Sequence, residues 1–196
     1  MHDDSEARVS MNIRCATRGC DKETRDNHGF CSRCANVILG AAKAQVRQVL
    51  DVASEVYIGR SSHPECRLLQ HFCNGCPERN GRDHLLVVHW AAQWNEIEHF
   101  EEELIKHVKQ SGISRLANRS LESDGWHSGS WEALYVSFRL KDRYDRIPGA
   151  TIVKELHWRN RLWPDPIVPN SPVLLRCGLC HEEAVAELKR FKEPQS

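Results

Sequence analysis

The chain has no net charge, with 27 basic residues against 27 acidic ones over 196 positions. That balance excludes the global cationic field of a histone-like or polybasic nucleic-acid binder, so any grip on a phosphate backbone has to come from a local patch. No apolar run approaches the roughly 20 residues that a membrane-spanning helix needs. The start, Met1-His-Asp-Asp-Ser-Glu, lacks the basic and apolar regions of a secretory signal. These absences predict a soluble, intracellular protein of cytoplasm or nucleus with no membrane partner. Length excludes two large independent cores and leaves room for one ordinary core with a small appended module. What the chain does have in excess is cysteine, nine in all. Six of them form the C-x2-C pairs 31/34, 73/76 and 177/180, a spacing that suits metal better than disulfides and fits a reducing compartment.

Near the amino terminus Cys15, Cys20, Cys31 and Cys34 run as C-x4-C-x10-C-x2-C, two knuckles that together offer four thiolates to one tetrahedral zinc. Gly19 and Gly29 stand where tight turns are needed. Asp21 to His28 is almost wholly polar and builds no core, so bound metal has to supply its folding free energy. The alternative, four free cysteines in a loop, leaves that segment without a reason to fold. The spacing is similar to small treble-clef and ribbon fingers, one type of which is known for ubiquitin binding. From Ala35 to Ala53, Val37, Ile38, Ala41, Ala42, Val46, Val49 and Leu50 recur at helical spacing and predict an amphipathic helix joining finger to core.

Beyond it, residues 55–60 read as a short strand ending at a glycine, and Pro64–His71 as the start of a helix, with Pro64 suited to its first turn. Leu85–Trp90 reads as a buried strand and Trp94 to Lys109 as a helix. At about 100° per residue, Ile97, Phe100, Leu104, Ile105 and Val108 share one face of that helix, and Glu101 falls near its centre. An ionised carboxylate buried there without a partner costs several kcal/mol, so a cation has to meet it. Two readings stay open: a bound metal ion, or a structural pair with Arg67. Glu102 and Glu103 project sideways into solvent.

The ordered series Tyr57-Ile58-Gly59, Arg67 and His71 in Arg-Leu-Leu-Gln-His, Phe100-Glu101-Glu-Glu-Leu-Ile-Lys106, and Asn118 in Leu-Ala-Asn-Arg-Ser resembles the GIY-YIG nuclease family over about residues 55 to 125. The resemblance implies an α/β (α+β) fold with a small mixed sheet flanked by helices, and hydrolysis of DNA phosphodiester bonds. It implies a catalytic magnesium or manganese ion held by Glu101, with Tyr57 as base or water-orienting group and His71 assisting. Arg67 would contact the phosphate, and Asn118 would close or orient the site. Taken singly, Tyr57 reads equally as an aromatic strand residue, and His71, two positions before Cys73, as a zinc ligand or surface residue. The family's first strand, Gly-Ile-Tyr, has no counterpart before Val56. Either it is replaced by Ala133–Arg139, arriving later in the chain with Tyr135, or the site has decayed.

Cys73 and Cys76 form a knuckle in a polar insertion, and Cys177 and Cys180 form another about a hundred residues later. Neither completes a tetrahedral site alone, so the two are expected to share a second zinc, with His71, His84 and His181 as competing ligands. Cys66, unpaired and helical, reads as a small buried residue. Lys106, Lys109, Arg115 and Arg119 make a basic stretch with no acid after Lys106 and, with Arg60, are the expected nucleic-acid contacts. A solvated, cation-favouring helix end explains the stretch equally well. Trp131–Leu140 and Ala150–Leu156 read as strands, Gly125–Gly129 as a turn, Trp163–Pro172 as an extended arm and Glu182–Phe191 as a final helix. Trp126, Trp131, Trp158 and Trp163 fill cores or stack on bases. The expected division is a zinc finger at 1–35, a linking helix at 36–54, a nuclease-like core at 55–160 and a carboxyl-terminal arm at 161–196. A different class of function also stays open, a non-catalytic zinc module that binds nucleic acid or a protein. Sequence leaves oligomeric state unknown.

Overall fold

A computed structural model of the protein describes residues 13–15, 19–24, 30–73, 81–91, 94–111, 116–118, 132–141, 153–156 and 173–192. The first elements are two short antiparallel strands, β1 (Ile13–Arg14) and β2 (Glu23–Thr24), which carry the first cysteine pair between them and beside them. Helix α1 (Ser32–Val52) opens immediately behind Cys31, whose extended backbone at φ −68° and ψ 151° makes it the N-cap. Its buried residues, Ala42, Val46, Val49 and Val52, follow the helical spacing of one apolar stripe. The helix stops where Ala53 turns extended and passes without a loop into β3 (Ala53–Ser61).

Helix α2 (Pro64–Cys73) begins with a proline, whose missing N–H costs nothing in a first turn, and carries Glu65 beside its positive end. Strand β4 (His84–Ala91) and helix α3 (Trp94–Gln110) follow, then β5 (Glu132–Leu140), β6 (Val153–Leu156), β7 (Val173–Cys177) and helix α4 (His181–Lys192). The five main strands lie in the order β3-β5-β4-β7-β6. β5 pairs antiparallel with both β3 and β4, and β6 pairs parallel with β7. The expected α/β fold, a small mixed sheet with helices on it, is what forms.

Alternation along the strands decides which side each residue faces. Val56, Ile58, Leu134, Val136 and Phe138 pack with α1 and α3, while Leu85, Val87, Ala133, Tyr135 and Val173 pack with α2 and α4. With helices on both faces, β5, an inner strand between β3 and β4, is apolar almost throughout, and every residue from Glu132 to Phe138 is buried. Phe30, Cys15 and Cys31 belong to the same apolar cluster as α1, α3 and the sheet. Helix α1 therefore packs its apolar stripe into the core, and the cysteine segment rests on that core. Strand β7 escaped the sequence reading because three apolar residues behind a proline carry too little period to recognise. Cys66 is only partly buried, and its sulfur accepts a hydrogen bond from Gln70. Gly29, the 125–129 turn, the 163–172 arm and the tryptophans at 126, 131, 158 and 163 lie outside the described residues. Among those described, no helix is long and apolar enough to cross a membrane.

Candidate active site and cysteine cluster

The amino-terminal knuckles close through their backbone. The Cys15 N–H donates to the Lys22 carbonyl at 2.9 Å, and Gly19 turns the chain at φ +80°, a conformation that glycine adopts without strain. The Cys31 N–H donates to Cys15 Sγ at 3.3 Å. The four sulfurs of Cys15, Cys20, Cys31 and Cys34 all lie within 4.8 Å of one another, and those of Cys20 and Cys31 are 3.8 Å apart. Four zinc–sulfur bonds of about 2.3 Å give a tetrahedron with an edge of about 3.8 Å, so the spacing fits that ion. None of the four is in a disulfide, and together they make a soft and closed donor set of the structural type.

On the opposite face of the sheet, Tyr57 from β3, His71 from α2 and Tyr135 from β5 come together. Their ring centroids are 4.7 Å apart for Tyr57–His71, 5.7 Å for His71–Tyr135 and 6.4 Å for Tyr57–Tyr135. His71 Nε2 is 3.0 Å from the Tyr135 hydroxyl. Arg82 completes the group: it donates to His71 Nδ1 at 3.2 Å, pairs with Glu55 and lies 5.4 Å over the Tyr57 ring. Burial, then the charges of Arg82 and Arg67, push the His71 pKa down to about 3, so its ring is neutral near pH 7. Burial, with Tyr57 beside it, pushes the Tyr135 hydroxyl well above its ordinary range. Arg67 donates to Gln70 at 2.8 Å and acts on both His71 and Tyr135 through its charge.

The tyrosines meet over Gly59, which stands opposite Tyr135 in the β3–β5 register. A Cβ there would lie 2.6 Å from the Tyr135 oxygen and 2.7 Å from Tyr57 Cε1. Gly59→Ala is therefore expected to lower stability by about 1–3 kcal/mol, measured by denaturant unfolding, while pushing the two tyrosines apart. Asn118 serves the same strand. Its Oδ1 accepts from the Ile58 N–H at 2.9 Å and its Nδ2 donates to the Ile58 carbonyl at 2.7 Å, beside an Ala117 N–H that donates to the Val56 carbonyl at 2.8 Å. The amide acts as one further strand residue along the sheet edge and holds the Tyr57-Ile58-Gly59 backbone.

Glu101 is buried, 5 % exposed, as the helical pattern required. Its partner, however, is Arg60 and not Arg67: Glu101 Oε2 is 3.2 Å from Arg60 Nε. The same guanidinium lies 3.2 Å from Glu98 and 3.8 Å from Glu132. Arg60 is thus 5 % exposed and committed to carboxylates, which corrects its expected role as a nucleic-acid contact. Alternation explains the difference, because Arg60 follows Val56 and Ile58 onto the α3 face. Burial raises the Glu101 pKa to about 7; Arg60 opposes the shift, and Glu98, Glu132 and Glu102 add to it. Glu101 also acts electrostatically on Tyr135. Among the described residues three carboxylates surround this guanidinium, and hard oxygen donors of that kind suit a magnesium-type ion. Glu98, Glu132 and Arg82 were not anticipated. The acid opening the apolar run of β5 was a readable signal for Glu132, whereas Arg82 sits in a polar stretch that carries none.

The remaining expected residues are more scattered. Cys73 is half-buried, Cys177 is buried and Cys180 is exposed. Burial raises the Cys73 and Cys177 thiols, and Cys73 and Cys180 act on Cys177 through their charges. Cys76 lies outside the described residues, as do Arg115 and Arg119. Lys106 and Lys109 are exposed, but Lys106 is 3.1 Å from Glu103 and 3.8 Å from Glu102, so the helix's own acids temper the basic stretch. No curated protein and no solved structure matches the chain. Tyr135 and Asn118 join the site from beyond the segment that a family model recognises: residues 48–114, from the last turn of α1 to just past α3, match the GIY-YIG catalytic domain.

Proposed function

We propose that the protein is a metal-dependent endonuclease that hydrolyses DNA phosphodiester bonds. The observation that carries this reading is the buried Glu101, inside the segment that matches a catalytic-domain family and set around the Arg60 guanidinium with Glu98 of that segment and Glu132 from beyond it. Glu101, with its neighbouring carboxylates, would hold magnesium or manganese, and the ion when bound would neutralise charge building on the phosphate. Tyr57 would accept a hydrogen bond from the attacking water and orient it, with the neutral His71 packed behind the ring. This tyrosine stands on the other face of the sheet from Arg60, and the electrostatic action of Glu101 on Tyr135 is what links the two groups. Arg67 offers its forked donors to the phosphate, and Asn118 fixes the strand that carries Tyr57. Water adds to phosphorus as one phosphorus–oxygen bond breaks, leaving a phosphate monoester and a hydroxyl end. Lys106, Lys109, Arg115 and Arg119 would follow the backbone of the nucleic acid.

One observation favours the second reading, a non-catalytic zinc module that binds nucleic acid or a protein: Arg60 already neutralises much of the Glu101 charge. Incubation of the protein with supercoiled plasmid, single-stranded DNA and RNA, with magnesium or manganese, separates the two. The nuclease reading predicts metal-dependent nicked or linear DNA, and retention of every substrate intact overturns it. Zinc belongs to the proposal at the amino-terminal cysteines, and a second ion at Cys73, Cys76, Cys177 and Cys180, in a reducing, intracellular setting. The proposed units are a finger at 1–35, a helix at 36–54, a core at 55–160 and an arm at 161–196. Elemental analysis is expected to find two zinc ions per chain, falling to one in Cys177→Ser; one in the unaltered protein removes the second site.

A further inference from the structure

We infer that Arg82 is a positioning residue of this site, holding His71 in the tautomer that carries its hydrogen on Nε2. A guanidinium donates hydrogen bonds and accepts none. His71 Nδ1, 3.2 Å from an Arg82 nitrogen, is therefore the acceptor. A neutral imidazole has a single N–H, which this contact places on Nε2, and Nε2 faces the Tyr135 hydroxyl at 3.0 Å. Tyr135 accepts that bond, and its own hydrogen is left for another acceptor. Both ring nitrogens are then committed, so His71 braces Tyr57 and Tyr135 and takes no proton from water.

The arginine is itself built in from three sides. Glu55 on β3 pairs with it, and the Tyr57 ring lies under it. Gly81, just before it, rests against the end of α2 so closely that a Cβ would sit 2.4 Å from the His71 carbonyl oxygen and 2.5 Å from that of Phe72. Just after it, the Asp83 carbonyl accepts from the Cys177 N–H at 2.8 Å. Glycine thus permits the close approach, β7 pins the far side, and the guanidinium is delivered to one nitrogen of one ring. A cation needed only for surface charge requires none of this.

The inference rests on the proposed hydrolytic site for its rate effect but not for its structural content, and the experiment keeps the two apart. Nitrogen-15 spectra of the full chain, with the His71 signals assigned by their loss in His71→Gln, report which ring nitrogen carries hydrogen. Unaltered protein is expected to show the Nε2–H form. Arg82→Met, which keeps bulk without a donor, is expected to show a mixture of tautomers, and Arg82→Lys, which can still donate, to restore the Nε2–H form. If the protein cuts DNA, kcat should fall about 10- to 100-fold in Arg82→Met with KM little changed, and recover in part in Arg82→Lys. An Nδ1–H form in the unaltered protein, or an unchanged tautomer in Arg82→Met, overturns the inference whether or not any DNA is cut. Should Arg82→Met not fold, Tyr135→Phe supplies the second reading: the signal from His71 Nε2–H is expected to shift on losing its acceptor, and its constancy overturns the pairing.

Discussion

Stripping the metal from the four amino-terminal thiolates is expected to unfold the whole protein rather than free a short tail. Phe30, the residue before Cys31, packs with ring centroids 5.7 Å from Phe100 and 6.1 Å from His89, so the knuckle touches both α3 and β4. Cys31 also caps α1, which contributes four buried residues to the same apolar cluster. Structural zinc brings roughly 10–16 kcal/mol of binding free energy in small zinc peptides. A domain of this size is stable by only about 5–15 kcal/mol. Losing the ion removes a quantity comparable to the whole, and the polar segment between the cysteine pairs offers nothing in its place. Circular dichroism and thermal melting after treatment with a strong chelator, or in Cys31→Ser, should show loss of helix well beyond the first 35 residues. A core that melts at an unchanged temperature after one zinc has left would show the knuckles to be an independent appendage.

Replacing Glu101 with glutamine is expected to abolish cleavage, by about a thousandfold or more, without unfolding the protein. Arg60 keeps Glu98 and Glu132 as partners, so no buried charge is orphaned. The effect on stability has a definite sign. Glu101 titrates near pH 7 in the folded chain, well above the ordinary value of 4.5. Between those values the folded state holds a proton that the unfolded state has lost. The stability this group contributes is therefore complete below about pH 4.5 and is lost as pH rises through 7, by at most about 3 kcal/mol. Glutamine does not titrate, so the variant should equal or exceed the parent in stability at pH 8, with the gap closing towards pH 5. Denaturant midpoints across that range measure it, and a variant much less stable at pH 8 would mean that Glu101 is an ordinary ion-pair partner.

The two effects that the sequence could disclose were periodicity and thiol spacing. The 3.6-residue stripe of α3 revealed both the helix and the burial of Glu101, because that stripe is a local property. Its true partner was one step further off: Arg60 lies on the α3 face by simple alternation from Val56 and Ile58, yet the helix before it gave a more conspicuous arginine in Arg67. Trp131–Leu140 was readable as a strand and Tyr135 as a candidate to complete the site. Its insertion between β3 and β4 was not readable, since strand order is fixed by non-local pairing that no short window contains. Gly59 carried a visible turn-like signal, but its reason, the two tyrosine rings above it, involves a residue 76 positions later. Arg82 left no trace, because a single arginine in a polar stretch looks like any solvated side chain until Gly81 is seen against α2. For the cysteines, spacing indicated the first cluster fully; it also suggested the second zinc proposed for 73/76 with 177/180, of which Cys76 lies outside the described residues.

The most direct test sets the parent protein beside Glu101→Gln, both shown to be folded by circular dichroism, on supercoiled plasmid with magnesium or manganese. The parent should convert the plasmid to nicked or linear form only when the divalent ion is present, and the variant should leave it supercoiled. Equal conversion by both proteins, or none by either, would contradict a hydrolytic centre built on Glu101.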